Sequence, residues 1–151
     1  MARLSLIFLF IFIGLFPAAA QDDDTGLRVI SGETTHAFTV EIVAGDDALE
    51  QAMSGRTELA ADAGMLFDFG ETRQVAFWMK DTPLPLDILF MSADGTIVAI
   101  AREAVPQSLR RISPGAPVRS VLEINGGRSE ALGIVPGDRV EHALFAESVA
   151  P

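Results

Sequence analysis

The sequence predicts a mainly β domain, a compact β-barrel or sandwich of about seven short strands with one short helix after the first long strand. Short apolar runs recur along the chain, and glycine, proline and aspartate turn signals separate them. The intervals between these runs are too short for the long crossover helices that a parallel α/β sheet requires.

Residues 1–20 have the features of a secretory signal peptide rather than of the domain. Arg3 gives a positive start, an apolar stretch runs from Leu4 to Phe16, and Ala18-Ala19-Ala20 supplies the small residues of a cleavage site. The stretch is shorter than the about 20 residues that span a bilayer. We expect a periplasmic or secreted protein with no stable membrane insertion after cleavage; an uncleaved anchor is the alternative.

The remaining chain divides into a tail and one domain. Residues 21–35 contain Asp22-Asp23-Asp24 and are predicted to be an acidic, flexible segment, and residues 36–147 are predicted to form a single mostly-β domain. The net charge of −10 argues against nucleic acid as a partner.

Composition also limits the chemistry. The chain has no cysteine, which excludes thiol catalysis, disulfides and cysteine-based zinc sites. Its two histidines, His36 and His142, lie far apart without ligand spacing, and there is no calcium loop. We therefore expect no metal and no cofactor.

The first predicted strand and the helix come next along the chain. Apolar and polar residues alternate from His36 to Ala44, which is typical of a strand. Gly45-Asp46-Asp47 offers a helix N-cap, helical spacing continues to about Ser54, and Gly55 ends it.

Four further apolar segments are predicted to be strands: Met65–Phe69, Val75–Met79, Leu86–Met91 and Thr96–Ala101. Asp94-Gly95 has the chemistry of a tight hairpin turn in which both central residues take positive φ.

The last part of the chain alternates between breakers and strands. Prolines and a glycine predict a surface loop over Val105–Pro117. A strand is predicted over Ser120–Asn125, one helical turn over Ser129–Leu132, a type II turn at Pro136-Gly137, and a final strand over Asp138–Phe145.

The most distinctive motif runs from Phe77 to Asp87 and reads F-W-M-K-D-T-P-L-P-L-D. With several other segments it closely resembles the domain of unknown function 192 family, over about residues 36–146. The resemblance implies a compact, mostly-β domain and no established activity. This chain has Asp81 where the family usually has asparagine. The helix of the family usually ends Gly-Leu-Met-x-Arg, whereas this chain has Gln51-Ala52-Met53-Ser54-Gly55-Arg56. The segments that share the resemblance are Met53, Arg56, Gly64–Phe67, Asp94-Gly95, Val121–Gly127 and Gly133–Asp138.

Seven residues of these motifs are candidate ligand-binding residues: Arg56, Trp78, Lys80, Asp81, Thr82, Asp87 and Glu123. On an alternating strand Phe77 and Met79 face one way, Trp78 and Lys80 the other, and either pair can be the core pair. Trp78 either stacks on a flat ligand in a cleft or closes one end of the barrel.

The charged candidates also have two interpretations. Asp87 and Glu123 lie within apolar strands, where an unpaired charge is seldom buried. In the structural interpretation, Lys80 or Arg56 forms an internal ion pair with one of them. In the functional interpretation the charges line a polar pocket.

Three functions remain open at this point. The first is an exported binding or accessory module that holds a small ligand, a glycan or a segment of an extracytoplasmic protein near the signature. The second is a small hydrolase or lyase that uses Asp87 and Glu123 as acid/base carboxylates. The third is a structural or interaction protein with no small-molecule site, in which Lys80 serves stability.

Overall fold

The computed structural model describes residues 25–44 and 53–146, and within them seven strands form one sheet, which confirms the mainly β class. Two helices of four residues each follow the sixth and seventh strands. The elements are β1 (Gly26–Ser31), β2 (Thr34–Ala44), β3 (Ala63–Arg73), β4 (Leu86–Met91), β5 (Ile97–Ala104), β6 (Val118–Asn125), α1 (Arg128–Ala131), β7 (Arg139–Glu141) and α2 (Ala143–Ala146).

The order of strands across the sheet is β5-β4-β6-β3-β2-β1-β7. All neighbours are antiparallel except β2 and β3, which are parallel and are joined by a crossover connection. β6 therefore lies between β3 and β4, where both of its edges are hydrogen-bonded.

The sheet curls until its two outer strands meet. Thr96 and Arg139 form an antiparallel bridge. The Ile97 N–H donates to the Asp138 carbonyl at 2.9 Å, and the Val140 N–H donates to the Gly95 carbonyl at 2.8 Å. The concave side encloses an inner core to which all seven strands contribute, including Leu27, Phe38, Leu66, Leu89, Ile97, Leu122 and Val140.

A second apolar core covers the outer face of β3, β4 and β6. All six residues of β4 are buried, and their side chains alternate between the inner side and this outer core, as the apolar run Leu86–Met91, interrupted by Asp87, indicates. The outer core is covered by residues 74–84 and 105–117. These two segments pair at Phe77 and Ile112, whose backbone groups exchange hydrogen bonds of 2.8 Å.

Most of the expected elements are confirmed: β2 to β6, the helical turn after Gly127 and the turn at Gly137, whose φ is 100°. The predicted helix near residues 46–54 lies almost entirely outside the described residues. Within the described part, Met53–Gly55 form a turn.

The structure corrects the amino-terminal boundary of the domain. The sequence predicted a flexible segment over residues 21–35, but β1 lies within it and pairs with both β2 and β7. Leu27 and Val29 are buried in the inner core. Two alternating apolar residues make too short a pattern to indicate a strand from sequence.

Two predicted strands are wrong in whole or in part. Val75–Met79 crosses the outer core and makes only the single bridge at Phe77. The final strand ends at Glu141, because His142 Nδ1 accepts the Leu144 N–H at 3.1 Å and α2 begins.

The hairpin between β4 and β5 is also one residue longer than expected. The Ser92 N–H donates to the Thr96 carbonyl at 2.9 Å, so three residues form the loop. Only Gly95 has positive φ, at 83°, as in a type I turn followed by a left-handed residue.

Closure of the sheet depends on the absence of a side chain at Gly95. A Cβ there would lie 2.4 Å from the Val140 carbonyl oxygen, whereas Gly115 has a similar φ of 78° with nothing within 4 Å. We expect Gly115→Ala to lower the free energy of unfolding by about 1–2 kcal/mol and Gly95→Ala by at least about 2 kcal/mol more. Chemical denaturation measures both, and equal losses would contradict the close approach.

Candidate functional site

An open cavity of about 310 Å³ lies on the outer face of the sheet, between the sheet and the segment of residues 74–82. Aromatic and apolar side chains line it together with polar and basic ones, and one buried carboxyl group belongs to its wall. We call it the outer cavity and define it by Phe67, Phe69, Arg73, Phe77, Trp78, Met79, Lys80, Arg111 and Glu123.

The signature places alternate side chains on two sides of its own segment. Phe77 packs edge-on against Phe67 and Phe90, with ring centroids 5.3 and 6.0 Å away, and Met79 is 1% exposed. Phe77 and Met79 are therefore the core pair. Trp78 is 41% exposed and lies at the rim of the outer cavity, so it does not close an end of the barrel.

Glu123 reaches the outer cavity because of its register on β6. It lies opposite Met65 of β3 and Ile88 of β4, both of which belong to the outer core. Its side chain is almost fully buried, and its Oε2 atom has no hydrogen-bond partner among the residues that the structure describes. Burial among apolar groups raises the pKa of Glu123 from 4.5 to about 8, so the carboxyl group is protonated near neutral pH.

The rim of the outer cavity is cationic. The Arg73 guanidinium lies 4.8 Å from the centroid of the Phe69 ring, and the Lys80 ammonium lies 5.7 Å from the centroid of the Trp78 ring. Arg111 lines the same cavity from the loop between β5 and β6. Three basic side chains thus surround one neutral acid in a chain whose net charge is −10.

The structure brings four of the seven candidate residues together at the outer cavity: Trp78, Lys80, Thr82 and Glu123. Thr82 also has a structural role. Its N–H donates to the Met79 carbonyl at 3.1 Å, and its carbonyl accepts the Gln107 N–H at 3.1 Å. It therefore ties the signature segment to the loop that contains Arg111.

Arg56 lies away from the outer cavity. Both of its terminal nitrogens donate to the Glu41 carboxylate, at 2.7 and 2.8 Å. This bidentate hydrogen bond lowers the pKa of Glu41 and raises the pKa of Arg56. Arg56 therefore joins β2 to the turn that follows Met53.

Asp81 is a turn residue and does not line the outer cavity. Its φ is 56°, and its carbonyl accepts the Gly55 N–H at 2.8 Å. Asparagine and aspartate tolerate this left-handed conformation better than most residues. This left-handed conformation explains why position 81 has aspartate here and usually asparagine in the family that the sequence resembles.

Asp87 is fully enclosed on the opposite face of the sheet. Its carboxylate accepts four hydrogen bonds of 2.6–3.0 Å, from the backbone N–H groups of Glu103, Gly127 and Ser129 and from the Ser129 hydroxyl. It thereby fixes β4 to β5 and to the start of α1.

Two hypotheses about the charged candidates are therefore wrong. Asp87 lies opposite Ile124 in the β4–β6 register, one position from Glu123, so the two carboxyl groups face opposite sides and cannot form an acid/base pair. The internal ion pair is also wrong. Backbone N–H groups and a hydroxyl satisfy Asp87, and the Oε2 atom of Glu123 has no partner in the described part of the chain.

Sequence reasoning missed the cavity residues outside the signature. Phe67 and Phe69 were recognised only as strand residues, and Arg73 and Arg111 were not considered as part of a site. One signal was present in part: Phe67 and Phe69 are spaced two apart on β3, which places their side chains on one face.

The described residues offer few other sites. No group of three histidine, aspartate or glutamate side chains among them is arranged to hold a metal ion. No helix in residues 25–44 or 53–146 is long and apolar enough to span a membrane.

Comparison with known families identifies the chain. The DUF192 family, described as an uncharacterized ACR, matches residues 28–142. The chain belongs to the DUF192 family. Within it, the two halves of the signature have different roles: Phe77–Thr82 forms a wall of the outer cavity, and Leu86-Asp87 anchors β4.

Two solved structures resemble this DUF192 domain. A protein from Sinorhizobium meliloti 1021, named only provisionally as a transcription regulator, is 48% identical with a TM-score of 0.77, over 79% of this chain and 93% of that one. A protein of unknown function from Novosphingobium aromaticivorans DSM 12444 is 36% identical with a TM-score of 0.75, over 77% of this chain and 83% of that one. No curated protein matches the chain.

The raised pKa of Glu123 makes stability depend on pH. The folded protein holds this proton more tightly than the unfolded chain, so the contribution of Glu123 is complete below about pH 4.5 and is lost as pH rises through about 8. We expect the unfolding free energy of wild type minus that of Glu123→Gln to fall by roughly a few kcal/mol over this window.

Urea denaturation at several pH values measures this difference. Glu130→Gln, at an exposed glutamate of α1, is the matched control and should follow wild type. A difference between wild type and Glu123→Gln that stays constant with pH would show that Glu123 is ionised in the folded protein.

Proposed function

We propose that this DUF192 protein is an exported binding module whose outer cavity holds a small ligand with an apolar body. The observation that carries the proposal is the unpartnered Oε2 of Glu123, buried in the wall of an aromatic cavity of about 310 Å³. Ligand sites are typically concave, mostly apolar, and equipped with a few polar groups that orient the ligand.

The energetics of Glu123 support a ligand. A buried polar group without a hydrogen bond makes folding less favourable by about 1–3 kcal/mol. No contact within the described protein offsets this loss at Oε2 of Glu123. A bound molecule that hydrogen-bonds Glu123 recovers it while covering apolar walls. Asp87 provides the contrast, because all of its hydrogen bonds are made within the protein.

The geometry favours binding over the other two functions. A hydrolase or lyase of the expected kind needs two carboxylates in one cleft. Asp87 cannot act with Glu123, because it is enclosed on the other face of the sheet. A purely structural protein would gain stability from an apolar residue at position 123, where the carboxyl group is desolvated. Lys80 is exposed, so it is not the buried charge that a structural role would require.

We do not propose transcription regulation, the function in the provisional name of the Sinorhizobium relative, for this chain. A chain with a net charge of −10 repels the phosphate backbone of DNA, and nucleic-acid binding requires a large basic surface. The cationic rim consists of three side chains around a cavity, which suits a small molecule better than a duplex.

Ligand binding should be visible through Trp78, the only tryptophan of the chain. We expect compounds with a phenyl or acyl body to raise the melting temperature of the purified protein and to change Trp78 fluorescence. A ligand at a hundredfold excess over its Kd stabilises the folded state by about 2.7 kcal/mol. Trp78→Ala should weaken binding at least tenfold by calorimetry.

Leu109→Ala is the matched control, because Leu109 is an apolar side chain, 68% exposed, that does not line the outer cavity. It should bind ligand as wild type does. Loss of binding in both variants, or stabilisation by ligands without any change at Trp78, would place the site elsewhere.

Export is the second part of the proposal, supported by the signal-peptide pattern of residues 1–20. Expression of the full chain in a Gram-negative host should yield a periplasmic protein that begins at Gln21. Replacing Ala18 and Ala20 by bulky residues should leave an uncleaved precursor. Mass spectrometry of fractionated cells distinguishes the two forms, and an intact wild-type chain in the cytoplasm would contradict export.

A further inference from the structure

The charge of the outer cavity is opposite to that of the chain. Acidic residues outnumber basic residues by 21 to 11 in the sequence. Among the residues that the structure describes, the charged side chains that line the cavity are nevertheless Arg73, Lys80 and Arg111, together with one acid, Glu123, which is protonated near neutral pH. A ligand in this cavity therefore meets a positive potential.

We infer that the ligand is an amphipathic organic anion, whose apolar body enters the outer cavity beside Phe77 and Trp78 and whose anionic head lies against the basic rim. This inference rests on the proposed binding function and names its ligand class. The head group is a carboxylate or a chemically similar oxyanion, because both accept hydrogen bonds from arginine and lysine.

The three basic side chains belong to different elements of the fold and line the same cavity. Arg73 lies at the end of β3, Lys80 lies in the signature segment, and Arg111 lies in the loop before β6. Arg73 and Lys80 are each held against an aromatic ring, Phe69 and Trp78, so part of their entropy is already lost before a ligand arrives.

Neutral Glu123 also favours an anionic ligand. A protonated carboxyl group adds no negative charge to the cavity, so it leaves the positive potential of the rim in place for the anionic head. Across the neighbouring strands it faces Met65 and Ile88, which carry no charge. The other charged groups that line its cavity within residues 25–44 and 53–146 are all basic, so ionised Glu123 would offset the positive potential that attracts the ligand.

A series with one apolar body and three head groups tests the inference: phenylbutyrate, phenylbutanol and phenylbutylamine. Calorimetry on the purified protein at neutral pH should give the tightest Kd for the anion, about tenfold below that of the alcohol, and the weakest binding for the amine. Binding of the anion should also weaken as salt is added, because the rim is exposed to solvent.

Two variants test whether the basic rim causes the preference for the anion over the alcohol. Arg111→Gln should remove most of the tenfold preference for the anion over the alcohol, while the alcohol binds as before. Arg110→Gln is the matched control, because the adjacent Arg110 is also exposed but does not line the outer cavity, and it should keep the preference within twofold. Equal loss in both variants would overturn a specific role for the rim.

The pH profile tests the role of Glu123. Wild-type affinity for phenylbutyrate should fall as pH rises through about 8, whereas affinity for phenylbutanol should change less. Glu123→Gln keeps a neutral hydrogen-bond donor and should bind the anion with no such fall. A fall of the same size in Glu123→Gln would contradict this role.

The two proposals fail differently. If the alcohol or the amine binds as tightly as the anion and perturbs Trp78, the binding function stands and the anionic ligand class is wrong. If none of the three compounds shifts the melting temperature or the Trp78 signal, both the binding site and its ligand class are contradicted.

Discussion

The desolvation of the Glu123 carboxyl group is the constraint on which the chemistry of the site depends. An ionised carboxylate cannot remain unpaired among Met65, Ile88 and Phe67 without a large cost, so the group keeps its proton. Its Oε2 atom has no hydrogen-bond partner within residues 25–44 and 53–146. The polar function of the cavity therefore consists of one neutral acid inside and three cations at the rim.

The fold creates this situation by burying both faces of one sheet. The curled sheet fills its concave side with the inner core, and residues 74–84 and 105–117 cover its outer side. Carboxyl groups on neighbouring strands then face different interiors. Asp87 meets backbone donors at the start of α1 and becomes a structural anchor, whereas Glu123 meets apolar side chains and a cavity.

The sequence was sufficient for the class of fold and for half of the site. Apolar runs and turn residues predicted most strands, and rare residues within them singled out Trp78, Lys80 and Glu123. The alternation along each strand could not tell whether Asp87 and Glu123 lie on the same face of the sheet, because that depends on the register between β4 and β6. Arg111 was missed because a long irregular loop brings it to the cavity.

The most direct test of the neutral acid is the titration of the Glu123 carboxyl group itself. Its carboxyl carbon can be followed by NMR in labelled protein from about pH 4 to about pH 10, with Glu123→Gln used to assign the signal. We predict a midpoint near 8. A midpoint near 4.5, the ordinary value, would mean that water or a cation reaches the group, and would contradict a neutral acid in an apolar cavity.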